Sequence, residues 1–272
     1  MTASAALPVS PLQGRRALAG AWAKISILQY FLAEAAVISA WAGPTPYSRV
    51  YNRISDLGAL HCGLHEGRAV CSPLHLLMNA SFVAQGVGMM LGAVFLTAAM
   101  FDVVARNGEG EFRTARAADG GWTAIRPRMG HPAAAGAARI LLIVAGAGAA
   151  VVGLVPEDSL TPVHYAGAAL FFVPGAVALI LLWWVWRRRR AVSSLLLAAG
   201  VVSLASLAVF LLAPGAAGGF WERMVAYPIT IGVALTGITV AATSQRVRLL
   251  AATLARAAAE RDRQDPAGGG RQ

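Results

Sequence analysis

The chain has 272 residues, 57% of them hydrophobic and 13% charged, with a mean hydropathy of +0.60 and a formal net charge of +10. That is more apolar than a soluble core of this size uses, which excludes a soluble globular domain and points to an integral membrane protein. The 23 Lys and Arg residues are scattered over separate short segments, which suits anionic lipid surfaces and argues against a nucleic-acid partner.

Residues 1–17 form a polar N-terminal tail, and the apolar run that follows, Ala19 to Trp41, is longer than a signal-peptide core and lacks a small-residue cleavage site. It is read as a retained first span. Glu34 sits inside it, where a lone carboxylate is costly, so it should face the bundle and find a partner, with Arg223 or His75 the best candidates. Lys24 lies on another face and is expected to snorkel to the cytoplasmic side.

Between Tyr47 and Phe82 comes the densest chemistry in the chain: Asn52, Ser55, Asp56, His61, Cys62, His65, Glu66, Cys71, Ser72, His75 and Asn79. Cys62 and Cys71 are the only two cysteines. A bond between them would close a loop of about ten residues and stabilise it by roughly 2.5 to 3 kcal/mol. A disulfide is predicted, making residues 42–73 a rigid cap.

Five further apolar runs follow, at Leu74 to Phe101, Ala138 to Val155, Val163 to Trp186, Ala191 to Ala213 and Met224 to Thr243. Each is close to the roughly 20 residues that cross a bilayer, and none alternates as a barrel strand does. The expected fold is therefore an all-α integral membrane protein of six transmembrane helices over residues 18–243. The loop 102–137, rich in Gly, Arg and Ala, carries Trp122 as a possible interface anchor. Trp183, Trp184 and Trp186 beside Arg187 read as an interfacial belt. In the basic tail 244–272, Arg246 to Arg263 suits a membrane-surface helix or a solvated one, fraying into a disordered Asp265 to Gln272.

Threading six spans places Arg15, Arg16, Arg106, Arg113, Arg116, Arg126, Arg128, Arg187 to Arg190, Arg246, Arg248 and Arg256 on one side, and only Arg49, Arg53, Arg68 and Arg223 on the other. The positive-inside rule makes the first side cytoplasmic. Both termini are then inside a bacterial plasma membrane and the cap faces out, where disulfides persist.

Two helix starts echo each other: Ser72-Pro73-Leu74-His75 and Thr161-Pro162-Val163-His164, with Phe82 and Phe171, and Gly86 and Gly175, at matching offsets. A repeat of helical hairpins would explain this, with Ser72 and Thr161 as N-caps and the two imidazoles at similar depth. Loops and helix ends that reach the same layer would bring Asn52, Ser55, Asp56, His61, His75, Asn79, Glu157, His164, Glu222 and Arg223 to one outer pocket. Each also has a purely structural use, such as a turn cap for Asp56 or an interface marker for Glu222 and Arg223.

Asn52-Arg53-Ile54-Ser55-Asp56-Leu57-Gly58, His61-Cys62-Gly63, Val70-Cys71-Ser72-Pro73-Leu74-His75 and Met78-Asn79-Ala80-Ser81-Phe82 resemble the bacterial multi-span membrane family called domain of unknown function 998. So do Gly153-Leu154-Val155-Pro156-Glu157 with His164, and Gly219-Phe220-Trp221-Glu222-Arg223 with Tyr227-Pro228, while the termini and the 102–132 loop fall outside the likeness. The resemblance implies the architecture and the site position, and it carries no assigned activity. The Ile-Ser-Asp-x-Gly element is also similar, more faintly, to six-span proteins of the damage-regulated autophagy modulator kind, which implies a lipid-related role by analogy.

Three readings of function stay open. The first is a module that binds a lipid headgroup or a partner membrane protein at the outer pocket. The second is a metal-dependent enzyme acting on a lipid or isoprenoid headgroup, with His75 and His164 as ligands and a carboxylate from Asp56, Glu157 or Glu222. The third is a redox protein with one haem between the same two histidines.

Overall fold

The computed structural model describes residues 10–109, 114–116, 122–124, 130–213 and 217–264. Arg113, Arg126, Arg128, the side chains of Arg116 and Trp122, and the tail segments 1–9 and 265–272 lie outside the described residues. Among the described residues, six helices are long and apolar enough to cross a membrane, and the protein is an all-α integral membrane protein with a Cys62–Cys71 disulfide.

The first span joins α1 (Arg15–Ile25) to α2 (Gln29–Ser39) through one 3-10 turn at Ser26–Leu28. There the Ser26 hydroxyl donates to the Ala23 carbonyl at 2.9 Å, the local back-bond that tightens a turn. The second apolar run is two helices. α3 (His75–Phe95) stops before Thr97, whose hydroxyl accepts from the Met100 amide and caps α4 (Ala98–Ala105). Hydropathy stays high across that break because α4 is buried at one end of the bundle, with Phe101 against the Trp186 ring at 5.8 Å.

α5 (Pro132–Leu154) starts at a proline and a run of alanines, ahead of the apolar run, because both favour a first helical turn without being strongly apolar. α6 (Thr161–Val185) and α7 (Arg190–Leu212) follow. α8 (Gly218–Gln264) runs 47 residues, about 70 Å at the α-helical rise. Arg246 to Arg263 therefore continues the sixth span along its axis and is no separate surface helix.

Each span packs on the next in sequence, and α8 packs on both α7 and α1, so the six close into a ring. At the contact of α3 with α5, a Cβ on Gly86 or Gly146 would strike the other helix's backbone, so these glycines set the approach within one chain. Two features of the interior correct the sequence reading. Lys24 does not snorkel: it is wholly buried, donating to the Thr236 hydroxyl at 3.0 Å with its ammonium 5.0 Å from the Phe101 ring centroid. Trp186 belongs to no belt, since it is fully buried and its indole donates to the Phe101 carbonyl, while Trp184 stays exposed with Arg187 over its ring.

The cap is a two-stranded hairpin, β1 (Gly63–His65) with β2 (Arg68–Val70), turning at Glu66 and Gly67, both with positive φ. That is the hairpin turn whose twist matches the strands, and Gly67 takes its φ of 76° without strain. Cys62 and Cys71 close the pair one residue beyond Gly63 and Val70. The Cys71 carbonyl accepts from Ala42, tying the hairpin to the end of the first span. β3 (Thr114–Arg116) pairs with β4 (Trp122–Ala124) in the long loop.

Candidate functional site

The cap is fastened to the bundle by charge in two layers. In the deeper layer, Glu34 on α2 meets Arg223 on α8 at 2.9 Å, the first of the two partners expected from sequence. The other Glu34 oxygen accepts from the Tyr227 hydroxyl at 2.5 Å. Arg223 spends its remaining donors on the carbonyls of Arg49, Asn52 and Gly219 and on the Tyr47 hydroxyl. Both Glu34 oxygens and all three Arg223 nitrogens have partners, which is what a buried ion pair needs to survive in hydrocarbon. Glu222 continues the clamp: it accepts from the Ile54 amide at 2.5 Å and from the Ser55 hydroxyl at 3.3 Å. Burial pushes the Tyr47 phenol well above its usual range despite Arg223 alongside, so it serves as a neutral donor and acceptor.

The shallower layer joins the cap to the turn before α6. Arg53 Nη1 lies 3.1 Å from Glu66, Glu157 and the Tyr165 hydroxyl. Arg68 reaches Asp56 at 3.0 Å, Glu157 at 3.0 Å and Glu66 at 3.4 Å. Tyr165 donates to Glu66 at 2.7 Å. Asp158 caps the start of the hairpin by accepting from the Leu60 and His61 amides and contacting the His61 ring at 3.0 Å.

Burial raises the Asp56 carboxyl above the usual carboxylate range, more than Arg68 and the Arg53 amide can offset. For Glu157, burial pushes up but Ser55, Arg68 and Arg53 pull harder, leaving it below that range. Burial also raises Asp158, and the two amides together with His61 again outweigh it. Burial would lower the Arg53 and Arg68 guanidiniums, yet the carboxylates raise both, so they stay charged.

Of the ten residues proposed for the outer pocket, Asn52, Ser55, Asp56, Glu157, Glu222 and Arg223 are drawn into this network. His61 stays at its exposed rim on Asp158. Asn79 lies below, donating to the Gly58 carbonyl at 2.9 Å. His164 is buried, its Nδ1 2.8 Å from the Val155 carbonyl, and lines a cavity of about 40 Å³ with Ser55, Gln85 and Glu222. His75 lies outside that cavity, half-buried at the first residue of α3, with Nδ1 2.9 Å from the Ser72 carbonyl. The helix starts are also not equivalent. Ser72 donates to the Leu57 carbonyl and Thr161 to the Glu157 carbonyl, so neither hydroxyl caps its helix.

Arg53, Arg68, Glu66, Tyr47, Tyr165 and Tyr227 are the members that sequence reasoning left out of the pocket. The acid-and-base mixture in the cap was the available signal: Glu66 and Arg68 fall within the Cys62–Cys71 loop, and Arg53 and Asp56 fall shortly before it. Among the described residues, the one group of three metal-ligand side chains is His65, Glu66 and Glu157, with ligand atoms within 4.8 Å of one another. His75 and His164 are not in it.

Beside this network, a groove of about 380 Å³ runs between α6 and α7. Its walls are Ala168, Ala169, Phe172, Val173, Leu207, Phe210 and Leu211, and Arg53 and Tyr165 stand at its cap end. The Arg53 guanidinium lies 5.5 Å from the Phe210 ring centroid. Its side-chain bonds all fall on Nη1, leaving Nε and Nη2 without partners among the described residues.

A sequence model of the family described as "Protein of unknown function (DUF998)" matches residues 120–239. The chain is similar to that family over part of the long loop, α5, α6, α7 and the first part of α8, which takes in Glu157, His164, Glu222 and Arg223. The cap segment 52–82 lies outside the matched residues. No curated protein and no solved structure matches the chain.

Proposed function

We propose that the protein binds a membrane phospholipid at the cap end, with an acyl chain in the α6–α7 groove and the anionic headgroup against the open edge of Arg53 and the Tyr165 hydroxyl. The groove itself carries this reading: an apolar furrow between two spans that ends at a guanidinium is the arrangement of a lipid tail below its phosphate. The disulfide-closed cap and the two charge layers hold that guanidinium in place, so the site is preorganised.

The positive-inside count supports a cap on the outer face of a bacterial cell membrane and both termini in the cytoplasm, which makes the ligand an outer-leaflet lipid. The His75–His164 metal reading has less behind it, because the two rings lie in different surroundings and each Nδ1 faces a backbone carbonyl. The cavity beside His164, about 40 Å³, has room for about one water.

Native mass spectrometry of the detergent-purified chain tests this. The expected result is retained phospholipid in the natural chain and at least a tenfold loss, about 1.4 kcal/mol, in Ala169→Trp, which fills the groove from an exposed position. Equal retention by both proteins would sink the groove assignment.

A further inference from the structure

We infer that His65, Glu66 and Glu157 form a binding site for a divalent cation of the zinc type, built into the cap and separate from the lipid groove. The first support is a pair of buried acceptors without donors. Glu157 is 1% exposed, and while Arg53 and Arg68 hold its Oε1, its Oε2 makes no hydrogen bond, because the Ser55 hydroxyl beside this carboxylate donates to Glu222. His65 Nε2 is likewise buried and unpartnered. Buried polar atoms left open in one cluster mark a missing species. The Glu157 oxygen is an acceptor, and the imidazole nitrogen is one in the Nδ1–H tautomer, so a cation satisfies both.

Spacing is the second support. His65 Nε2 stands 3.4 Å from Glu157 Oε1, the oxygen that Arg53 and Arg68 also hold, so the open Oε2 of that carboxylate is the one left for an ion. Ligands about 2.1 Å from a tetrahedral ion lie about 3.4 Å apart, so this carboxylate is within reach of an ion held by His65. Glu66 adds a third oxygen within 4.8 Å of both. One imidazole with two carboxylates is a donor set that borderline divalent ions accept.

Charge is the third. Asp56, Glu66 and Glu157 lie in this layer against Arg53 and Arg68, while Glu222 belongs to the deeper clamp. Three carboxylates against two guanidiniums leave a net negative charge that favours a bound cation. Those guanidiniums also repel a cation, so the affinity rests on the acceptors they leave free.

The site ties the tip of the hairpin to the turn before α6, which the disulfide does not reach. A metal there would fix the cap on the bundle and with it the Arg53 edge that closes the groove. Zinc binding is nevertheless measurable with no lipid added, so the two readings fail separately.

Isothermal titration calorimetry of the full chain, purified without a histidine tag, with zinc chloride tests the site. One zinc per chain is expected, with at least a tenfold weaker affinity in His65→Ala and Glu157→Gln. The variants His61→Ala, His75→Ala and His164→Ala should bind like the natural chain. Because Glu157 is buried and its variant can misfold, His65→Ala is the deciding protein, with its melting curve confirming that it is folded. No stoichiometric zinc binding, or undiminished binding by folded His65→Ala, would overturn the inference.

Discussion

Arg223 is the residue on which the deep layer turns, because one guanidinium serves Glu34, Tyr47 and three backbone carbonyls at once. Its removal leaves a buried carboxylate and several carbonyls without partners. Arg223→Ala should therefore destabilise the protein by about 3 to 5 kcal/mol, read as a lower melting temperature in detergent. Arg223→Lys should recover only part of this, since a point charge cannot fork to five acceptors. Lys24 is the opposite case. It is a buried ammonium whose hydrogen bond is to Thr236 and which lies over an aromatic ring, with no carboxylate paired to it among the described residues. Lys24→Met keeps most of the volume and removes the desolvation cost, so it should raise the melting temperature, by the equivalent of about 1 kcal/mol. A drop would mean that the ammonium does structural work beyond its bond to Thr236.

At the scale of elements, the hairpin owes its register to the Glu66-Gly67 turn and its closure to Cys62–Cys71. Replacing both cysteines by serine should cost about 2.5 to 3 kcal/mol and make the cap the first region to exchange amide hydrogens, as hydrogen-exchange mass spectrometry would report. The spans were legible in the sequence because hydrocarbon demands long apolar runs, and the disulfide because only two cysteines exist. The break at Thr97 was not, since α4 is buried in protein and so is as apolar as a span. Likewise the unbroken α8 hides behind a change from apolar to basic residues that leaves helix propensity intact. Glu34 could be assigned a partner from the cost of burying it. The roles of Arg53, Arg68 and Tyr165 depend on where the folded hairpin lands on the start of α6, a long-range contact that no local pattern encodes.

For the whole molecule, the ring of six spans is polar at the cap end of its interior and lined with small residues where helices meet. The cap is braced from below by Arg223 and from the side by Glu157, and the groove between α6 and α7 opens next to the brace. A lipid seated there would contact a rigid headgroup site and a pair of helices whose other neighbours are fixed by the ring. Photo-crosslinking in native membranes with a phospholipid that carries a photoreactive acyl chain tests this account most directly. Adducts mapped by peptide sequencing should concentrate at 168–173 of α6 and 207–211 of α7, and should fall sharply in Ala169→Trp. Adducts spread evenly over all lipid-facing helices, or unchanged by that substitution, would contradict it.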